Sequence, residues 1–141
     1  MTKEYYISEV DTRYSEPFNT IVRMDKRCFP NDDRYEPYHG IWWIAYVKNT
    51  PAAYAGLLEE GGGVAYLCRA GVLPAHRGYG LQKMLIRTRI EKAKNIGLTR
   101  LITSTYANPH SVNNLIDHGF RAYESVKPWG QDGTMYWALD L

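Results

Sequence analysis

The sequence predicts a mixed α/β (α+β) fold in which helices pack on one sheet. Strand-length apolar runs alternate with segments whose apolar residues recur at helical spacing. Glycine, proline or asparagine marks nearly every boundary between them, where turns and caps need those residues. No repeat, linker or low-complexity tract breaks the 141 residues, so a single domain over residues 1–141 is expected. A chain of that length buries roughly two thirds of its unfolded surface, enough for a core without metals or disulfides.

The elements follow in order. "KEYYISEV", residues 3–10, is rich in β-forming residues and reads as a strand. In "SEPFNTIVRMDKRCF", Ser15 can cap a helix and Pro17 suits its first turn, while Phe18, Ile21, Val22, Met24 and Cys28 recur at roughly helical spacing. "PNDDRYEPYHG" is polar and bounded by proline, a loop with room for one short helical turn. "IWWIAYVK" is a near-continuous apolar run, the pattern of a buried strand with Trp42 and Trp43 on opposite faces. A turn at "NTP" returns the chain as the hairpin partner "AAYAGLLEE". Gly61, Gly62 and Gly63 make the next turn, into the strand "VAYLCRAGVL". Gly71 inside that strand indicates a bulge or the close approach of another group.

A helix from about Gly80 to Asn95 sets Leu85, Ile86, Ile90, Ala93 and Ile96 on one face, with Lys83, Arg87, Glu91 and Lys94 opposite. Gly97 stops it as a left-handed cap. "RLITSTY" is a further strand. In "NPHSVNNLIDHGF", Asn108 is a natural N-cap, Pro109 suits the first helical position and Gly119 lies just past the end. Val112, Leu115 and Ile116 form the buried stripe of that helix. "AYESV" and "TMYWALDL" close the fold as a hairpin around "KPWGQDG".

Composition excludes several classes of function. A net charge of +2 without clustered Lys and Arg argues against a nucleic-acid partner. No apolar stretch approaches the ~20 residues of a membrane span, so no membrane partner is expected. "MTKEYYISEV" has no long apolar core and does not read as a signal peptide. Cys28 and Cys68 stand apart without metal-ligand spacing and read as reduced, partly buried thiols of a cytoplasmic protein. No metal is expected.

The chemistry concentrates in "VLPAHRGYGLQKMLI", residues 72–86, where a strand ends at a proline, passes two glycines and restarts as a helix. The first amides of a helix lack intrahelical acceptors, and the helix dipole adds partial positive charge there, so this arrangement suits phosphate. Gly78 and Gly80 leave the backbone open to close approach. Three ligands share that logic. A Walker loop needs Gly-Lys-Ser/Thr, and the chain has Gly80-Leu81-Gln82. A dinucleotide fingerprint needs a third glycine, and Lys83 stands in its place. The diphosphate of coenzyme A is the third option.

At these residues the sequence resembles the GNAT superfamily of acyl-CoA-dependent N-acyltransferases. Its cofactor motif, Gln/Arg-x-x-Gly-x-Gly/Ala after a strand ending Val-x-Pro, is matched by Val72, Pro74, Arg77 and Gly80, with Gln82 replacing the last small residue. A second motif, Asn-x-x-Ala/Ser followed after seven residues by Gly-Phe, is matched by Asn108, Ser111, Gly119 and Phe120. The resemblance implies a mostly antiparallel sheet of about seven strands with splayed central strands. It implies acetyl-CoA as acyl donor, its pantetheine arm along the backbone of Ala70, Gly71 and Val72. The diphosphate would lie on the main chain of Gly78, Tyr79, Gly80, Leu81, Gln82 and Lys83, with Arg77 and Asn108 as further contacts. An amide near Val72 would polarise the thioester carbonyl, and a neutral amine would attack directly within a ternary complex.

Catalytic groups are not carried over. An amine must shed a proton, and lysine's pKa of about 10.4 makes that costly at neutral pH. Many relatives place a carboxylate on one of the splayed strands, where this chain has Tyr66 and Thr103, and a tyrosine acid seven residues after the motif's asparagine, where it has Leu115. Water, Tyr66, Tyr106 or His39 is left to relay the proton. Arg77 can brace the loop as well as touch phosphate, and Arg69 reads as an outward strand residue or a contact for a substrate carboxylate. His76, His110 and His118 read as surface or capping groups. Asp32, Asp33 and Glu36 among Tyr35, Tyr38 and His39 suit a cationic amine. The implied partner is a small-molecule or peptide amine, with a homodimer as an assembly open to test. The rival reading is a non-catalytic acyl-CoA-binding sensor or interaction domain of the same fold.

Overall fold

The computed structural model describes residues 4–141. Its elements run β1 (Tyr6–Val10), α1 (Ser15–Cys28), β2 (Ile41–Val47), β3 (Thr50–Gly61), β4 (Val64–Val72), a 3-10 turn (Pro74–His76), α2 (Leu81–Asn95), β5 (Arg100–Thr105), α3 (Pro109–Asp117), β6 (Arg121–Tyr123) and β7 (Met135–Asp140). Apart from the 3-10 turn, this is the order the sequence predicts. Lys3, the first residue of the expected opening strand, lies outside the described residues. The seven strands form one sheet in the order β1-β2-β3-β4-β5-β7-β6. Pairing is antiparallel between β1 and β2, β2 and β3, β5 and β7, and β6 and β7. β4 and β5 pair parallel, which requires a long crossover, here α2.

Packing divides the chain into two compact units. One runs up to Leu58 and adds Cys68–Leu85; the other is Glu59–Leu67 with Ile86–Leu141. In the first unit Trp42, Trp43, Ile44 and Ala45 of β2 are buried without alternation, as expected of a strand covered on both faces. Lys48 and Asn49 both take left-handed φ, 47° and 64°, making a two-residue turn of the kind that matches strand twist. The turn therefore precedes Pro51, which sits in β3 opposite Tyr46 beside a register shift. That irregularity accommodates a residue with no N–H to give. Ile21 and Met24 of α1 pack with Trp42, Ile44 and Tyr54. Ser15 is the first helical residue rather than the cap; Tyr14 holds the cap position with no side-chain bond. The 30–40 segment is irregular throughout.

In the second unit α2 ends as its sequence predicts. Gly97 takes φ 82°, Leu98 N–H donates to Ala93 O, and Gly97 N–H donates to Lys94 O, the two bonds of a Schellman cap. Asn108 Oδ1 accepts from Ser111 N–H at 3.1 Å and caps α3, with Pro109 at its first position and Gly119 at φ 89° beyond its end. Two expected core residues are exposed. Ile96 lies past the last turn of α2, and Ile116 is rotated about 100° from buried Leu115. Arg89 and Asn114 are buried in these helices instead.

Candidate active site

The loop between β4 and α2 is held in shape from its own side chains. Gly78 and Gly80 take φ 85° and 78°, conformations costly for any side-chain-bearing residue. A Cβ built on either would meet nothing within 4 Å, so the backbone there borders open space. Gly80 O accepts from Met84 N–H at 3.1 Å as α2 begins. The glycines thus serve a backbone that is bent to the left-handed region and uncovered. Arg77 turns back from the loop, and its Nε donates to Val72 O at 3.1 Å. Of its two predicted roles, loop bracing is the one its contacts carry. Tyr79 is half-exposed beside the Tyr5 ring, whose hydroxyl meets His76 Nδ1 at 3.1 Å.

The end of β4 is fixed from both sides. Leu73 N–H donates to Ala52 O at 2.9 Å, and Val72 O also receives the Cys28 thiol at 3.5 Å. Burial pushes the Cys28 thiol up from its ordinary pKa, although Arg77 nearby pulls it down. Gly71 has the close neighbours its sequence position implies. A Cβ there would come within 2.8 Å of the Tyr54 hydroxyl and 2.9 Å of Cys28 Sγ.

Behind this strand end lies a polar network that the sequence does not reveal. Asp25 is only 2% exposed, on the apolar face of α1. It accepts from the Tyr54 hydroxyl and from Arg69, whose Nε and Nη2 lie 2.8 and 3.2 Å from its two oxygens. Arg69 also reaches Asp32 Oδ2 at 2.7 Å and stacks over the Phe29 ring, 4.1 Å from its centroid. Burial and the bond to Asp25 push the Tyr54 phenol well above its ordinary pKa, so it stays a donor. Burial disfavours the Arg69 cation, but its bonds to Asp25 and Asp32 outweigh this and raise its pKa. Arg69 is therefore tied to two carboxylates of its own chain rather than turned fully outward. Beside it, Asn31, Asp32, Asp33, Arg34, Tyr35 and Arg69 line an open groove of about 480 Å³. Burial pushes Tyr35 up to about 12. A second concavity, of about 500 Å³, includes Asp11, Arg13, Tyr38 and exposed His39.

Tyr66, Tyr106 and Asn108 belong to the second unit. The β4–β5 ladder there runs from Val64 opposite Arg100 to Tyr66 opposite Ile102. Thr103 follows, its hydroxyl donating to Leu67 O at 3.0 Å. The Tyr66 ring meets Trp129 edge-on, and Trp129 in turn packs on Tyr136 at 4.5 Å and donates to Ser104 Oγ at 3.3 Å. Tyr106 is exposed, its ring edge close to Gly133. Leu115 is 5% exposed and serves the core of α3. Trp129 lies in the 124–134 loop, and its contacts to Tyr66, Tyr136 and Ser104 are not legible from the sequence pattern. Among the described residues, no group of three or more His, Cys, Asp or Glu side chains could hold a metal ion, and no helix is long and apolar enough to cross a membrane.

Comparison with known proteins agrees with this geometry. The profile of the acetyltransferase (GNAT) family matches residues 5–120. No curated protein matches the chain by sequence. Among solved structures, the ribosomal-protein-S18-alanine N-acetyltransferase of Escherichia coli is similar at 17% identity, with a TM-score of 0.78 over 97% of this chain and 94% of that one. A Bacillus subtilis acetyltransferase in complex with CoA is 18% identical, with a TM-score of 0.76 over 98% and 99%. A GNAT family acetyltransferase from Elizabethkingia anophelis with acetyl-CoA bound is 16% identical, with a TM-score of 0.75 over 97% and 98%. At these identities the likeness is one of fold.

Proposed function

The chain belongs to the GNAT acetyltransferase family, and from that premise we propose that it moves an acetyl group from acetyl-CoA to an amine by direct attack in a ternary complex. The observation that carries the proposal is the uncovered left-handed backbone at Gly78 and Gly80 ahead of α2. A diphosphate fits there because main-chain amides at a helix start bind anions without any side chain. The whole stretch Gly78–Lys83 offers its backbone, so Gln82, unusual for the motif, need only point away. The pantetheine arm runs along Ala70 to Val72. Neighbouring amides of an extended strand face opposite edges, and Leu73 N–H faces β3. The Val72 N–H accordingly faces the other edge, suited to the thioester oxygen, where negative charge develops.

The acceptor is a cationic amine, on a small molecule, a peptide N-terminus or a lysine, and the groove beside Asp32, Asp33 and Tyr35 suits it. Leu115 carries no group that exchanges a proton and Thr103 offers only an alcohol, a poor base near neutral pH, so the amine's proton is not assigned to either position. Water, Tyr66, Tyr106 or His39 relays it. We place the protein in the cytoplasm, where the thiols of Cys28 and Cys68, which form no disulfide, stay reduced.

Acetyl-CoA should raise the melting temperature through ordinary ligand linkage, whereas NADH and ATP should not. Incubation with acetyl-CoA and a panel of amines should then release free thiol. Calorimetry showing no acetyl-CoA binding would sink the proposal; binding without thiol release would leave a sensor of the same fold.

Asn108 is proposed as a further contact for the donor, beyond its cap of α3. Asn108→Ala should lose about 1 kcal/mol of stability with the cap. Asn108→Asp keeps the cap, loses the amide donor and adds charge, and should weaken acetyl-CoA binding. Unchanged calorimetric affinity in the Asp variant would remove Asn108 from the site.

A further inference from the structure

Two peptide groups meet at Val72. The one after it is locked at both ends, with Leu73 N–H on Ala52 O and Val72 O on Arg77 Nε and the Cys28 thiol. The one before it carries the Val72 N–H and begins at Gly71, whose Cα faces the Tyr54 hydroxyl and Cys28 Sγ so closely that no side chain fits. Tyr54 is wholly buried, and its hydroxyl is itself fixed by Asp25, which is 2% exposed. A buried carboxylate is costly to keep in an apolar helix face, where a leucine would pack without penalty. The pair is aimed at one backbone point.

We propose that Asp25 and Tyr54 are positioning residues for acyl transfer, holding Gly71 so that the Val72 N–H points at the thioester carbonyl. Neither touches substrate; both act through Gly71. The inference rests on the reading that acetyl-CoA lies along Ala70 to Val72. It separates two tasks: affinity comes from the Gly78–Lys83 backbone, and polarisation of the carbonyl from a peptide plane that α1 and β3 hold in place.

The test uses the full chain and acetyl-CoA labelled with carbon-13 at the thioester carbonyl. A hydrogen bond to that oxygen moves the carbonyl resonance downfield on binding, with no acceptor amine needed. Tyr54→Phe removes one oxygen and leaves the ring. The expected result is that the bound-state shift falls to less than half that of the parent, while calorimetric affinity stays within about threefold. A purely structural tyrosine would lower the melting temperature and leave the shift as it was, and that result overturns the proposal. Should Tyr54→Phe not fold, Cys28→Ala relaxes the same Gly71–Val72 segment from its other side and is read the same way, with Cys28→Ser expected to recover the shift. A parent that binds acetyl-CoA with no downfield shift also overturns it while leaving the proposed function standing. A parent that does not bind removes both.

Discussion

Gly80→Val is expected to abolish acetyl-CoA binding in a chain that still folds. Its φ of 78° is left-handed, and a side chain there costs roughly 1–2 kcal/mol. Small domains typically have about 5–15 kcal/mol in hand, so the native state survives. A Cβ at this position meets nothing within 4 Å of the protein itself. Harm beyond backbone strain therefore appears only when something must occupy that space. Gly97 supplies the control, with φ 82° and equally open surroundings at the other end of α2. Gly97→Val should show a similar loss in urea unfolding with parental affinity. Gly80→Val should lose at least about a hundredfold in calorimetric affinity, ~2.7 kcal/mol. Equal affinities in the two variants would mean that the loop backbone does not hold the diphosphate.

The contrast between those two glycines also shows what a sequence can disclose. Gly80, Gly97 and Asn108 are legible because each answers a local demand: a left-handed turn, a helix stop, a cap for an amide three residues on. Arg77 is half legible. Its partner Val72 is five residues away, but spacing alone cannot choose between that carbonyl and a phosphate. Gly71 signals a close approach without naming who approaches; Tyr54 comes from another strand. Asp25 is silent. It sits at helical spacing like any solvated residue, and its partners lie 29 and 44 positions away. Buried polar groups such as Arg89 and Asn114 are hidden for the same reason, since only tertiary packing sets their side of the helix. Trp129 is a turn residue by sequence, and only the folded chain shows that it packs on Tyr66.

The silent network has the larger consequence for stability. Arg69→Ala is expected to cost about 3 kcal/mol, near the lower end for breaking a buried ion pair, because Arg69 is one-quarter exposed. The loss follows from what stays behind. Asp25, its side chain 3% exposed, would keep the Tyr54 hydroxyl but lose both guanidinium bonds. Water cannot readily replace them at that depth. Asp32, half exposed, can turn to solvent and should add little. The guanidinium stack on Phe29 is lost as well, a smaller cation–π contribution. The decisive comparison is the double variant. Asp25→Asn removes the buried charge while keeping an acceptor for Tyr54, so joined to Arg69→Met it should regain most of the stability lost by Arg69→Met alone. Urea unfolding of the four chains gives the coupling directly as a double-mutant cycle. A coupling below about 0.5 kcal/mol would place Asp25 and Arg69 among ordinary surface pairs and remove the rigid frame on which the positioning of Gly71 depends.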